Sequence, residues 1–418
     1  MLLENHFPED VRVRQEAYTL VEAGYNVSVI AQFSRKDEKA YEIVNGVHVY
    51  RIPLVNIFEK HAPHEGEASE TGPFEAMTSR LKAVVGYFLE YTYFTSACFF
   101  LSLRVLFREG FDVVHLHNPP NSPFVVGLFY RLFGKKFVFD HHDLSPELYL
   151  SRVGATHSPI HKVLLIEEAL CLRSANMVIA TNESYKAIDI SRGGKKPESI
   201  FVVRNGPDLR QKAFQPVPRD EELAKMGKKI LVYIGVMGPQ DGVDYLVRAL
   251  HKLVHIVGRT DFFCLVIGSG DELDFLRKLN RELRMEDYIR FTGFIPKADL
   301  VRYVSSADIC LDPNPSNPLN DYSTWVKVLE YMAFGKPIVS FDLRETRYSA
   351  EEAAVYVRPN DELEYAQAIA ALMDDPERRK RMGEYGAKRM KEHLAWQHVS
   401  KNLIAGYSWL FGDAERKS

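Results

Sequence analysis

The sequence predicts an α/β protein built as two doubly wound domains that face each other across a cleft. Three observations predict it. Short β-branched runs alternate with helical patterns along the chain, the rhythm of parallel sheets joined by helical crossovers. At 418 residues the chain is too long for one ordinary core. The rhythm also breaks once, at "RQKAFQPVPRDEELAKMGKK", a polar stretch with two prolines that reads as a surface linker. The strand "ILVYIG" restarts the pattern, so the expected domains are residues 1–208 and 209–394.

Strands are expected at Asn26–Ala31, Val47–Ile52, Asp112–Leu116, Lys136–His141, Met177–Ala180 and Ile200–Val203 in the first half. In the second half they are expected at Ile230–Gly235, Phe262–Gly268, Tyr288–Phe291, Ile309–Leu311 and Pro337–Phe341. Helical periodicity covers Arg14–Glu22, Val243–His255, Glu272–Leu283 and Glu362–Met373. One segment, Ala83–Phe107, is aromatic and nearly long enough to span a bilayer, but Glu90, Arg104 and four hydroxyl residues interrupt it. It reads as a helix packed in the first domain or partly facing a membrane, with a true span as the alternative.

Composition narrows the function. With 46% hydrophobic and 26% charged residues the chain is globular, and a net charge of -3 predicts no general attraction to nucleic acid. The four cysteines are scattered through apolar segments with no CxxC pair, which predicts reduced, buried thiols in a cytoplasmic protein.

In doubly wound domains ligands sit outside the carboxyl ends of the strands. Three places there carry chemistry. In "DYSTWVKVLEYMAFGKPIVSF" a helix capped by Ser323 or Thr324 is apolar on nearly every side, yet carries Lys327 and Glu330. Ser323, Lys327 and Glu330 share one stripe; the helix start and Lys327 suit a phosphate, and Glu330 suits vicinal hydroxyls. An internal Lys327–Glu330 ion pair explains the spacing equally well. Second, "YIGVMGPQDGVDYL" and "VIGSGDELDFL" place Gly235, Gly238 and Gly268 in strand-to-helix turns that allow close approach to a diphosphate, or that are ordinary turns. Third, "KFVFDHHDLSPEL" delivers Asp140, His141, His142 and Asp143 to a strand end beside the polar loop "HLHNPPNSP", which contains Asn118. Metal binding is one reading, but adjacent strand residues point to opposite faces, so a hydroxyl- or phosphate-binding imidazole is favoured.

These residues, taken in order, resemble the family-4 retaining glycosyltransferases of the two-Rossmann-domain, GT-B type. The likeness runs through "FPEDVRVRQEAYTLVEAGYNVSVI", "FDVVHLHNPP", "FVFDHHDLSPEL", "RSANMVIATNES", "VVRNGPD", "IRFTGFIP", "KVLEYMAFGKPIVSFDLRETR" and "LAWQHVSKNLIAGYSWL". It implies sugar transfer from a nucleotide-diphosphate sugar, usually without a metal, in cell-envelope polysaccharide or glycolipid synthesis. Glu330 matches the second glutamate of an E-x7-E motif and would hold the donor ribose. Ser323, Thr324, Trp325 and Val326 match the backbone that meets the diphosphate and sugar. His142 matches a histidine near the transferred sugar, and the tail at 395–418 a last helix that crosses back to the first domain. The acceptor would be a sugar, a lipid-linked molecule or a small molecule, with peripheral contact at the inner face of the cell membrane as one expectation.

The departures are informative. Tyr322 stands where the first glutamate is expected, and Val236 and Asp241 stand where the phosphate loop usually offers Arg and Lys. Strand 1, "MLLEN", looks clipped. The glycine pair that usually follows it is replaced by "ENHFPEDVRVRQ", with Arg12 and Arg14 as acceptor-side candidates or surface ion pairs. Tyr322, Val236 and Asp241 make a non-catalytic nucleotide-sugar-binding protein one competing expectation, and a sugar-nucleotide epimerase, which shares the two-domain architecture, is the other.

Overall fold

In this computed structural model, residues 1–35, 37–53, 73–153, 158–211 and 214–412 are described. The β-branched runs of the first half form one eight-stranded sheet. Its strands are β1 (Leu2–His6), β2 (Ser28–Gln32), β3 (Tyr41–Val44), β4 (Val47–Ile52), β5 (Val113–His117), β6 (Lys136–His141), β7 (Met177–Ala180) and β8 (Ile200–Val202). They lie in the order β3-β4-β2-β1-β5-β6-β7-β8. The second half forms a six-stranded sheet from β9 (Lys229–Ile234), β10 (Phe262–Ile267), β11 (Ile289–Gly293), β12 (Ile309–Asp312), β13 (Ile338–Phe341) and β14 (Ala354–Val357), ordered β11-β10-β9-β12-β13-β14.

Every strand pairing is parallel except β3 with β4, a hairpin turning at Asn45-Gly46, both at positive φ. Sequence reasoning missed β3, although an Asn-Gly pair between apolar runs is a strong hairpin signal. It also missed β14. Helices cover both faces of each sheet, and four buried apolar clusters, two per sheet, fill the layers between.

The switch points fix where ligands can sit. In the first sheet the order reverses between β1 and β5; in the second it reverses between β9 and β12. A parallel sheet opens a crevice at its carboxyl edge at such a point, because the flanking crossovers leave in opposite directions. Tyr331 stitches the second crevice from below: its hydroxyl accepts from the Ile234 N–H at 2.9 Å and donates to the Leu311 carbonyl at 3.2 Å.

The last helix, Trp396–Leu410, packs on the first domain, where Trp396 Nε1 donates to Thr19 Oγ1 at 2.9 Å. The chain crosses back beside Gly206, where a Cβ would stand 2.1 Å from the Leu394 carbonyl oxygen, so a side chain does not fit. The aromatic segment lies in the helix Pro73–Arg108. No helix among the described residues is long and apolar enough to cross a membrane, which sets aside the spanning alternative for Ala83–Phe107.

Candidate active site

At the second switch point the helix Val326–Ala333 begins later than expected. Trp325 is its N-cap and offers no side-chain hydrogen bond, so neither Ser323 nor Thr324 caps it. Ser323 instead donates to the Leu319 carbonyl at 2.8 Å and meets the Tyr185 hydroxyl at 3.2 Å. Thr324 Oγ1 accepts from Asn182 Nδ2 at 3.0 Å. Both hydroxyls are occupied in holding the two domains together. The first N–H groups of the helix are thereby left without a side-chain cap at the positive end of its dipole.

Lys327 is buried at 6% exposure one residue inside that helix, with its ammonium over the rings of Trp325 (4.8 Å) and Tyr233 (5.1 Å). Its charge partners are Asp241 Oδ1 at 3.7 Å and Asp312 Oδ1 at 3.8 Å. Lys327 does not pair with Glu330, so the internal ion-pair explanation of their spacing fails. Burial pushes both aspartyl carboxyls up, and the Lys327 charge only partly offsets this. Asp241 also accepts the Gly238 N–H through Oδ2 at 3.0 Å, which closes the turn after β9. The residue found where a lysine was expected thus shapes the loop and faces the Lys327 ammonium. Asp312, at the end of β12, is fixed by Ser340 at 2.9 Å. Sequence reasoning passed over it, although its place directly after a buried strand was the available signal.

Glu330 lies another turn along, half-buried. Burial raises its carboxyl to about 7, opposed by Lys297. Among the described residues its side chain makes no hydrogen bond to protein, so the carboxylate oxygens remain available to a ligand. The glycine turns are tight for structural reasons as well: at Gly268 (φ +134°) a Cβ would meet the Gly235 carbonyl oxygen at 1.9 Å. Gly235 and Gly268 therefore press two strand ends together, and Gly238 opens the loop that Asp241 closes.

The first switch point holds a buried charge cluster. Arg12 grips Asp140 with two hydrogen bonds, at 2.8 and 2.6 Å, and also reaches Asn205 at 2.6 Å. It is neither a surface ion pair nor open to an acceptor, which corrects both expectations for it. Burial alone would raise the Asp140 carboxyl, but Arg12, His142 and His117 override it and hold it well below the usual range. His117 Nδ1 lies 2.8 Å and His142 Nδ1 3.3 Å from Asp140 Oδ2. His142 is the partly exposed member, so Asp140 orients an imidazole that looks into the cleft. His141 points the other way, as alternation requires, and bonds Asp189 at 2.6 Å. The two adjacent histidines therefore share no ligand.

Glu16, His115, His117 and Asp140 bring ligand-capable atoms within 4.8 Å of one another. Arg12 already places a guanidinium 3.2 Å from Glu16 and 2.6 Å from Asp140, so a fixed cation occupies the charge position a metal would take. Glu16, whose carboxyl is pushed well up by burial and by Asp140, was not singled out from the sequence. Asn118 is buried too: it accepts the His142 and Asp143 N–H groups at 2.9 and 3.2 Å and donates to the Asp143 carbonyl at 2.7 Å. It clamps the histidine loop from beneath and does not face the cleft. Arg14 donates to the Pro8 carbonyl at 2.7 Å, and Asp143 is half-buried beside His142 with its carboxyl raised by burial.

The domains meet through Glu345, which accepts from Ser184 at 2.6 Å and Arg204 at 3.2 Å, both from the first domain. Tyr322, found where a glutamate was expected, packs with Leu319 on the first domain's apolar cluster, and its carbonyl accepts from Asn182 at 2.8 Å. His142 and the Lys327 helix are thereby held on the two walls of one cleft.

Comparison with known proteins places this arrangement. A family model of glycosyltransferase family 4 matches residues 10–211, and one of glycosyl transferases group 1 matches residues 215–389. An uncharacterized glycosyltransferase of Methanocaldococcus jannaschii is 23% identical over 396 residues, covering 93% of this chain and 90% of that protein. A D-inositol 3-phosphate glycosyltransferase of Catenulispora acidiphila is 26% identical, covering 71% and 72%. Among solved structures, sucrose-phosphate synthase from Thermosynechococcus elongatus superposes with a TM-score of 0.73 at 20% identity, over 98% of this chain and 95% of that one. Anabaena HepE, in complex with UDP and glucose, gives 0.66 at 15% identity, over 97% and 98%. With both domains matched in order and the same two-domain architecture in its neighbours, the chain belongs to the family-4 glycosyltransferases of GT-B fold.

Proposed function

We propose that the protein transfers a sugar from a nucleotide-diphosphate sugar to an acceptor hydroxyl, retaining the anomeric configuration. The observation that carries this reading is the helix Val326–Ala333, which combines an uncapped N-terminus, one buried cation and one unpartnered carboxylate at the second switch point. The diphosphate would lie on the helix N-terminus and Lys327, where fixed positive charge is worth most as the leaving group gains charge. Glu330 would accept from the ribose hydroxyls. The acceptor hydroxyl would attack from the face the diphosphate leaves. The bond from anomeric carbon to phosphate oxygen breaks as the new glycosidic bond forms, and a phosphate oxygen takes the acceptor's proton. His142, aligned by Asp140, would orient the transferred sugar. No step needs a metal. We place this activity in the cytoplasm, in the synthesis of a cell-envelope polysaccharide or glycolipid.

The test is a thermal-shift panel of UDP-, GDP- and ADP-sugars, UDP first because HepE is described with UDP and glucose. One donor should raise the melting temperature, and Lys327→Gln should lose turnover by roughly 10²–10³-fold. Full turnover in Lys327→Gln sinks the assignment, as does epimerised nucleotide sugar formed with no acceptor consumed. One observation favours a second reading, a binding protein without turnover: Asp241 and Asp312 set two carboxylates against the single ammonium of Lys327. Donor binding without transfer across an acceptor panel would establish that reading.

A further inference from the structure

Three neighbouring helices of the first domain carry apolar side chains on the face they turn away from the core. The helix Pro73–Arg108 buries Phe94, Cys98 and Val105 inward and presents Phe100 (69% exposed) and Phe107 (85%) outward, with Phe88 and Leu89 toward its middle. From residue 88 to 107 such a helix runs about 28 Å. Phe99 of this helix packs edge-on against Phe129 of the next, Phe124–Arg131, whose outer side shows Val125 and Leu128 and ends in Leu132 (79%) and Phe133 (66%). That helix is tied to the third, Pro159–Ser174, by Arg131 donating to the Ser174 carbonyl, and the third exposes Val163, Ile166 and Leu170. All three cover the same buried cluster, so their outer stripes form one continuous surface. Soluble proteins seldom leave so many large apolar groups together in water without a partner.

The exposed, unpaired charges described around this surface are basic. Arg104 on the first of these helices, Lys162 and Arg173 on the third, and Lys136 at the start of β6 stand exposed, and none forms an ion pair among the described residues. Nearby acids are already committed or suppressed: Glu109 pairs with Arg108 at 3.3 Å, Asp112 with Lys135 at 3.2 Å, and burial raises the Glu167 carboxyl to about 7. A symmetric contact with a second copy would set this basic rim against itself.

We propose that the outer face of these three helices docks on an anionic lipid bilayer, with Phe100, Phe107, Leu132 and Phe133 entering the interface and Arg104, Lys136, Lys162 and Arg173 meeting the headgroups. Apolar burial and attraction to anionic lipid together give stable interfacial binding where neither alone does. The helix Ser145–Val153 packs between this face and the turn Pro239–Asp241, so docking brings the cleft mouth to the membrane surface. For the acceptor, this deepens the transfer reading toward a lipid-linked hydroxyl and rests on that reading; the docking itself does not.

The experiment is flotation of the full chain with phosphatidylcholine vesicles and with vesicles containing about one quarter phosphatidylglycerol. Binding should favour the anionic vesicles at least about tenfold and weaken with salt. Phe100→Glu/Phe107→Glu and, separately, Leu132→Glu/Phe133→Glu should each abolish it, while the thermal shift with nucleotide sugar stays unchanged. That shift is the control that separates a failed docking surface from a failed donor site. Absence of binding to anionic vesicles overturns the proposal. So does equal binding to neutral ones, or a concentration-dependent dimer that the same substitutions dissolve.

Discussion

The Lys327 ammonium lies 3.7 Å from the Asp241 carboxylate, in a loop position where a basic residue was expected. The donor phosphate and Asp241 would therefore compete for one cation. Asp241→Asn should keep the hydrogen bond that closes the turn at Gly238 and release Lys327 from one of its two partners. Nucleotide affinity should rise about 3- to 10-fold by calorimetry, which is up to ~1.4 kcal/mol. Weaker binding in this variant would mean that Asp241 supports the donor site.

Glu330 titrates near neutrality, at about 7, because burial disfavours its charged form. An ionised carboxylate accepts hydroxyl hydrogen bonds more strongly than a neutral one. Donor affinity should therefore increase from pH 6 to pH 8, and Glu330→Gln should flatten that profile and weaken binding about tenfold. The same raised pKa means this group favours the unfolded chain increasingly as pH rises from the ordinary carboxyl range through 7. Glu330→Gln should therefore melt no lower than the parent at pH 8.

Arg12 and Asp140 form a buried, doubly hydrogen-bonded pair far from the donor helix in sequence. Removing one partner strands the other charge, at a cost of about 3–5 kcal/mol. Arg12→Ala should lower the melting temperature substantially at pH 7. Because the folded-state pKa of Asp140 is depressed, its stabilising share is complete above the unfolded value of 3.8 and is lost only as pH falls through the lower folded value. A melting temperature unchanged in Arg12→Ala would remove this cluster from the account of stability.

Glu345 accepts from Ser184 and Arg204 across the cleft. Glu345→Gln should weaken the Arg204 contact, by roughly 1.5–3 kcal/mol for a charged hydrogen bond, without touching either sheet. The expected signature is a larger radius of gyration by solution scattering and a lower kcat. An unchanged scattering profile would show that the Ser323, Thr324, Tyr322 and Leu319 contacts hold the domains without Glu345.

Much of the architecture was legible from pattern. Parallel central strands are buried on both faces and read as apolar runs, so Lys136–His141 and Met177–Ala180 were placed to the residue. Edge strands β3 and β14, half-buried and short, escaped. At the site, Lys327, Glu330 and His142 stood out because charge or imidazole next to apolar runs is unusual. Asp140 was seen only as one of a His/Asp cluster that could take a metal, whereas its partner is Arg12. Arg12, Asn118, Ser323 and Thr324 were found in the right place with the wrong partner, because a sequence shows that a polar group is present and not what it bonds.

By itself the sequence determined the two sheets, the break between them and the strand ends where ligands can gather, because burial and chain connectivity impose those periodicities locally. It also determined the family, through motifs kept in order. Only the tertiary structure decided the charge balance: that Lys327 answers to Asp241 and Asp312, that Asp140 is shared by Arg12 and two imidazoles, and that Tyr322 is an interdomain anchor. Those relationships join residues up to 140 positions apart, as in Asn182 and the Tyr322 carbonyl. Electrostatic partners are set by distance and burial in three dimensions, and neither has a period along the chain.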